Sequence, residues 1–157
     1  MAIISGETRH PIITFHGTSN LNAVNSILEN GCVIPGVKDP AKDIMIKKTH
    51  GSAYGIWIYS SPFFDKAMCY TSPDRIKYVY VLINIVILGK FKLIAPGGNE
   101  TIKHNPPPTN GCYSDGSNTR IVYGLEQLVC ADPKRIIPIA VMKISICWLF
   151  VINKIKK

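Results

Sequence analysis

Two stretches of the chain place chemically able residues at useful spacings. In "FHGTSNLN" His16 closes an apolar run and is followed by Gly17 and Thr18. A lone histidine beside an apolar strand is as a rule structural. Gly17 argues the other way, because it removes a side chain next to the imidazole and lets a ligand approach the backbone, while Thr18 adds a hydroxyl. Asn20 and Asn22 follow at a helix start, where backbone N–H groups favour anions. That local chemistry suits a nucleotide sugar. In "IWIYSSPFFDKAMCYT" Tyr59 and Tyr70 lie eleven residues apart, one closing a strand and one on the following helix. A strand–turn–helix brings both rings to one cleft and offers a slot for a flat heterocycle, although ordinary core packing accounts for the pattern as well. A third stretch, "TRIVYGLEQLVCADPKRIIPIAVMK", reads alone as a hairpin with Glu126 and Gln127 near its turn.

These residues need elements to hold them. Pro11–Phe15 is β-branched and predicts a buried strand ending at His16. Ser19 or Asn20 then caps a helix whose Leu21, Val24, Ile27 and Leu28 share a face, and Gly31 stops it. Pro35–Gly55 is a surface loop long enough to cover a site. "IWIYSSP" is a short strand, and Pro62 opens a short helix with Phe63, Ala67 and Tyr70 on one face. A loop at Thr71–Ile76 precedes the longest strand signal, Lys77–Leu88, and Gly89 predicts a turn into "KFKLIAP". Gly97–Asn118 is loop by composition, and two or three strands follow. The class is α+β with a mostly antiparallel sheet and few helices, in a single domain over 1–157.

Bulk properties narrow the reading less. With 46% hydrophobic and 18% charged residues the chain is expected to be globular, which excludes a disordered or low-complexity array. The net charge of +8 suits nucleic acid, a nucleotide diphosphate or an anionic membrane face alike. The five cysteines form no CxxC pair and no zinc spacing, so reduced thiols in a cytoplasmic or nuclear protein are expected, with no metal. The opening "MAIISGETRHP" lacks the basic n-region and long apolar core of a signal peptide, so none is expected. The apolar run Ile136–Ile152 falls short of the ~20 residues of a membrane helix, and its β-branched content favours buried strand, so no membrane is expected.

In this order the three stretches resemble the catalytic domain of the poly(ADP-ribose) polymerase family, the diphtheria-toxin-like ADP-ribosyltransferases. "FHGT" with "ILENG" resembles the family's His-Gly-Ser/Thr strand and helix. "GSAYGIWIYSSPFFDKAMCYT" resembles its "GxGIYF…SKSxxY" block with the same tyrosine spacing, and "RIVYGLEQ…P…I…VMK" resembles the last strands of tankyrase-like members. The resemblance spans roughly Ile13 to Lys143. It implies two packed, mostly antiparallel sheets around an NAD cleft. His16 would hydrogen-bond a ribose hydroxyl of NAD, the Gly17 backbone would hold the nicotinamide carboxamide, and Tyr59 and Tyr70 would flank the nicotinamide ring. The resemblance thus places the catalytic set at His16, Tyr59 and Thr119, and the NAD contacts at His16, Gly17, Thr18, Tyr59, Ala67 and Tyr70.

The chain also departs from that pattern. Thr119 stands where polymerising members carry a glutamate, four residues before Tyr123. A carboxylate there stabilises the developing oxocarbenium ion and polarises the acceptor hydroxyl, so polymer elongation is not expected. Ala67 replaces the serine that binds the nicotinamide amide, a loss of about 1 kcal/mol or fivefold in affinity. Trp57 replaces the second glycine of "GxGIY". Asp115 and Glu100 are candidates to stand in for the missing acid, while Glu126 matches a structural glutamate. The reading that follows is a mono-ADP-ribosyltransferase using NAD as co-substrate, with a protein acceptor favoured over a nucleic-acid one. An inactive module that binds NAD or ADP-ribose is the alternative.

Overall fold

The longest apolar run does become the longest strand, and it passes straight through the glycine where a turn was expected. In the computed structural model this strand, β5, covers Tyr78–Ile94, 17 residues. Gly89 sits inside it with φ of 62°, and a Cβ there would collide with Asn118 Oδ1 and the Arg135 guanidinium. Asn118 holds the residue after the irregularity twice: its Oδ1 accepts from Lys90 N at 3.1 Å and its backbone N donates to Lys90 O at 2.7 Å. A long-range partner therefore replaces the local turn. The structure describes residues 5–18, 20–36, 38–39, 43–45, 57–71, 77–94, 111–113, 115–122, 124 and 126–145.

Around β5 the other strands are arranged by register. Strand β1, Ser5–Thr18, runs antiparallel along nearly all of it, with an irregularity between Thr8 and Pro11. It starts six residues before the expected Pro11, since the polar stretch Ser5–His10 makes a partly solvated strand that apolar content does not reveal. Two short strands, β2 (Lys38–Asp39) and β3 (Ile44–Met45), form a separate ribbon within the expected loop. Strand β4 is Ile58–Ser60, β6 is Thr119–Val122, β7 is Gln127–Cys130 and β8 is Ile136–Ser145. On its second edge β5 pairs antiparallel with β8 over Tyr78–Val86 and parallel with β6 over Phe91–Ile94. The order is β1-β5-β6-β7-β4 with β8 beside β5, and a Phe15–Ser61 bridge brings the residue after β4 back against β1.

The architecture is α+β, dominated by a mostly antiparallel sheet with few helices. The six strands share one hydrogen-bonded sheet, because β5 is long enough to belong to both halves. Helix α1, Leu21–Asn30, is capped by Asn20 Oδ1, which accepts from Asn22 N and Ala23 N, and ends at Gly31 with φ of 74°. Of its expected apolar face only Val24 and Ile27 are buried. Leu21 and Leu28 are 48% and 53% exposed, and two turns apart they share a direction about 40–60° round from Val24. Helix α2 is Phe64–Met68; Pro62 lies before it and Phe63 is its exposed N-cap, so the start falls two residues after the proline.

The core joins Val24 and Ile27 of α1 to Leu82, Val86 and Leu88 of β5, Ile121, Leu128 and Val129 of β6 and β7, and Ile136 of β8. The described part of the run Ile136–Ile152 is strand β8, as expected, but not a buried one: only Ile136 is buried, and Ile137 and Ile139 are exposed. Among the described residues no helix is long and apolar enough to cross a membrane.

Candidate functional site

The end of β1 meets the end of β4. Phe15 N donates to Ser61 O at 2.6 Å and Ser61 N to Phe15 O at 2.9 Å, so the "FHGT" strand is locked beside "IYSS". One residue on, His16 Nδ1 lies 2.8 Å from the Tyr59 carbonyl oxygen. A carbonyl only accepts, so Nδ1 carries a proton and donates this bond. The histidine is half-buried and its orientation is fixed by another site residue's backbone.

Gly17 has a role the sequence reading did not assign. A Cβ there would run into the Ala67 carbonyl and reach 3.0 Å from Thr71 Cγ2, so its missing side chain seats α2 on β1. Phe15, on the same face of β1, packs edge-on against Phe64 at 5.7 Å between centroids. Ala67 is 2% exposed and is a packing residue at this contact. Thr18 Oγ1 accepts from Asn20 N at 3.2 Å, and Asn20 spends its own side chain on the first helical N–H groups. The start of α1 is thus satisfied from within, which leaves the amide-bearing residues less suited to an incoming anion than expected.

The Tyr70 hydroxyl is held by a residue of β7 that shares a face with the partner of Tyr59. Tyr59 is paired with Val129, and Gln127, two residues along β7 and so on the same face, donates from Nε2 to the Tyr70 hydroxyl at 2.5 Å. Ser61 Oγ donates to Glu126 O at 2.5 Å and accepts from Phe63 N at 3.0 Å, which ties the start of α2 to the turn before β7. Glu126 itself is exposed, with its carboxylate 3.9 Å from Lys66 Nζ. Gln127 and Ser61 are positioning residues that the sequence did not single out. Their partners lie 57 and 65 residues away, beyond any local signal.

Trp57 packs inward instead of lining a pocket. It is 4% exposed and meets Tyr113 edge-on at 4.7 Å. The Arg120 guanidinium lies 4.0 Å from the centre of the same ring, and the Tyr113 hydroxyl donates to Val129 O at 2.8 Å. Burial pushes the Tyr113 hydroxyl well above its ordinary pKa, against the opposing pull of Arg120. This cluster was not foreseen.

Thr119 is fully buried, and its hydroxyl donates to Leu88 O at 2.8 Å with Cys130 Sγ at 3.9 Å. Burial also pushes the Cys130 thiol up. Thr119 shares a row with Cys130 and Ile58, whereas Tyr59 falls in the next row with Val129 and Arg120. On these three strands the two side chains therefore occupy opposite faces. Asp115 is no replacement acid either. Its Oδ1 accepts from Ser117 N and Oγ, and its Oδ2 lies 3.4 Å from Lys92 Nζ and 3.5 Å from Arg120 Nη2. Partial burial raises its pKa, but the Ser117 bonds and the two cations outweigh this and leave it below the usual carboxylate value. Glu100 and Tyr123 lie outside the described residues. No protein-family model matches the chain, and comparison with curated proteins gives no match.

Proposed function

We propose that the chain is an NAD-dependent mono-ADP-ribosyltransferase with the ADP-ribosyltransferase type of α+β fold. The observation that carries this reading is the 2.8 Å bond from His16 to the Tyr59 carbonyl, which sets the "HGT" and "IYSSP" stretches side by side. The chemistry of these groups fits NAD. His16 hydrogen-bonds a ribose hydroxyl, and Tyr59 and Tyr70, held on one face through Val129 and Gln127, enclose the nicotinamide. Orientation is the main catalytic contribution. The nicotinamide–ribose bond breaks with its electron pair leaving on nicotinamide, and a nucleophile of the acceptor forms the new bond to the anomeric carbon and gives its proton to solvent. A protein acceptor is favoured, with a nucleic acid as the second choice.

Thr119, where polymerising members carry the glutamate, has no carboxylate and its hydroxyl is bonded to Leu88 O, which supports single over repeated transfer. The same observation favours a second reading, a module that binds NAD or ADP-ribose without turnover. Incubation with labelled NAD and candidate acceptors tests the first reading: transfer or self-modification with nicotinamide release is expected. Calorimetric binding of NAD with no nicotinamide release selects the second.

A further inference from the structure

Two residues along β1 from His16, the sheet buries a polar pair. Thr14 faces Asn84 directly across β1 and β5, and the two are 0% and 1% exposed. Above and below them on the same face stand Ile12 with Val86 and His16 with Leu82. Neither Thr14 Oγ1 nor Asn84 Oδ1 and Nδ2 has a hydrogen-bond partner among the described residues, so the two side chains do not bond to each other. Cβ atoms of facing residues are roughly 4.5–5.5 Å apart, close enough for one small molecule to bridge the polar ends. On the far side of Asn84 the ladder is irregular as well. Its β8 partner is Pro138, which has no N–H to give, and the register slips there. Three buried polar atoms at one point are costly unless something pairs with them.

We infer that Thr14 and Asn84 form a binding site for one internal water molecule. A water donates to Asn84 Oδ1, accepts from Asn84 Nδ2 and exchanges a hydrogen bond with Thr14 Oγ1, within the two to four bonds typical of buried water. The inference is independent of the proposed activity.

Nuclear Overhauser contacts between water and protein, together with oxygen-17 relaxation dispersion, test it on the full chain. The Asn84 side-chain amide is expected to show a contact to a water resident for nanoseconds or longer. The double variant Thr14→Val/Asn84→Leu is expected to hold one long-lived water fewer than the wild type. An equal count in the two proteins overturns the inference. If the double variant does not fold, the wild-type amide decides: absence of the water contact, or a direct Thr14–Asn84 hydrogen bond, overturns it.

Discussion

Replacing Gly17 by alanine separates two explanations of the glycine in "HGT". Gly17 sits in β1 outside the left-handed region, so its backbone takes alanine without strain and only the added methyl matters. That methyl lands on the Ala67 carbonyl and within 3.0 Å of Thr71 Cγ2. The first neighbour is main chain and cannot rotate away. Overpacking of this kind costs about 1–3 kcal/mol. At roughly 2–4 °C per kcal/mol for a chain of this size, the melting temperature of Gly17→Ala falls by about 2–12 °C. Adding Thr71→Ala relieves only the lesser contact and gives up the Thr71 Oγ1 bond to Met68 O, so it does not rescue. Thermal unfolding by circular dichroism, paired with NAD binding by calorimetry, reads both consequences. An unchanged melting temperature with lost NAD binding would refute the packing argument and restore a ligand-approach role for Gly17.

Thr119→Val removes a buried hydrogen bond and lowers stability by about 1 kcal/mol. It leaves NAD turnover per folded molecule unchanged. Thr119→Glu buries a carboxylate at a fully enclosed position, so it destabilises far more than valine in the same melt and does not create polymer elongation. Tyr70→Phe strips the acceptor from a buried Gln127 Nε2, at a cost of about 1–3 kcal/mol in the unfolding free energy, and raises the KM for NAD. Asp115 has a folded pKa below its unfolded value, so the stability it adds is present above the unfolded pKa and is lost as pH falls through the folded one. Asp115→Asn is therefore less stable than wild type at neutral pH, and the gap closes in acid melts below the usual carboxylate range.

Local signals served the local elements. Asn20 and Gly31 announce α1 because a cap and a stop act within a few residues, and the β-branched run announces the first half of β5. Gly89 misleads because a positive φ suits a turn or an irregular strand equally, and Asn118, 29 residues on, decides which. The single sheet was hidden for the same reason, since two partners share one edge of β5. At the candidate site the sequence reading grouped His16, Tyr59 and Tyr70; the structure bonds His16 to the Tyr59 carbonyl and Tyr70 to Gln127, two residues along β7 from the partner of Tyr59. It left Gly17 and Ala67 legible only as ligand contacts, because nothing in "HGT" says that α2 comes to rest there. Thr119 could be read as a missing acid, but its burial depends on cross-strand pairing with Cys130.

The central claim is that the His16–Tyr59 juncture handles NAD, and nicotinamide release from labelled NAD by the wild type and His16→Ala tests it most directly. The wild type is expected to release nicotinamide and transfer one ADP-ribose per site, with the rate falling roughly tenfold in His16→Ala as a hydrogen bond to substrate is lost. A wild-type protein that neither binds NAD nor releases nicotinamide would contradict the account.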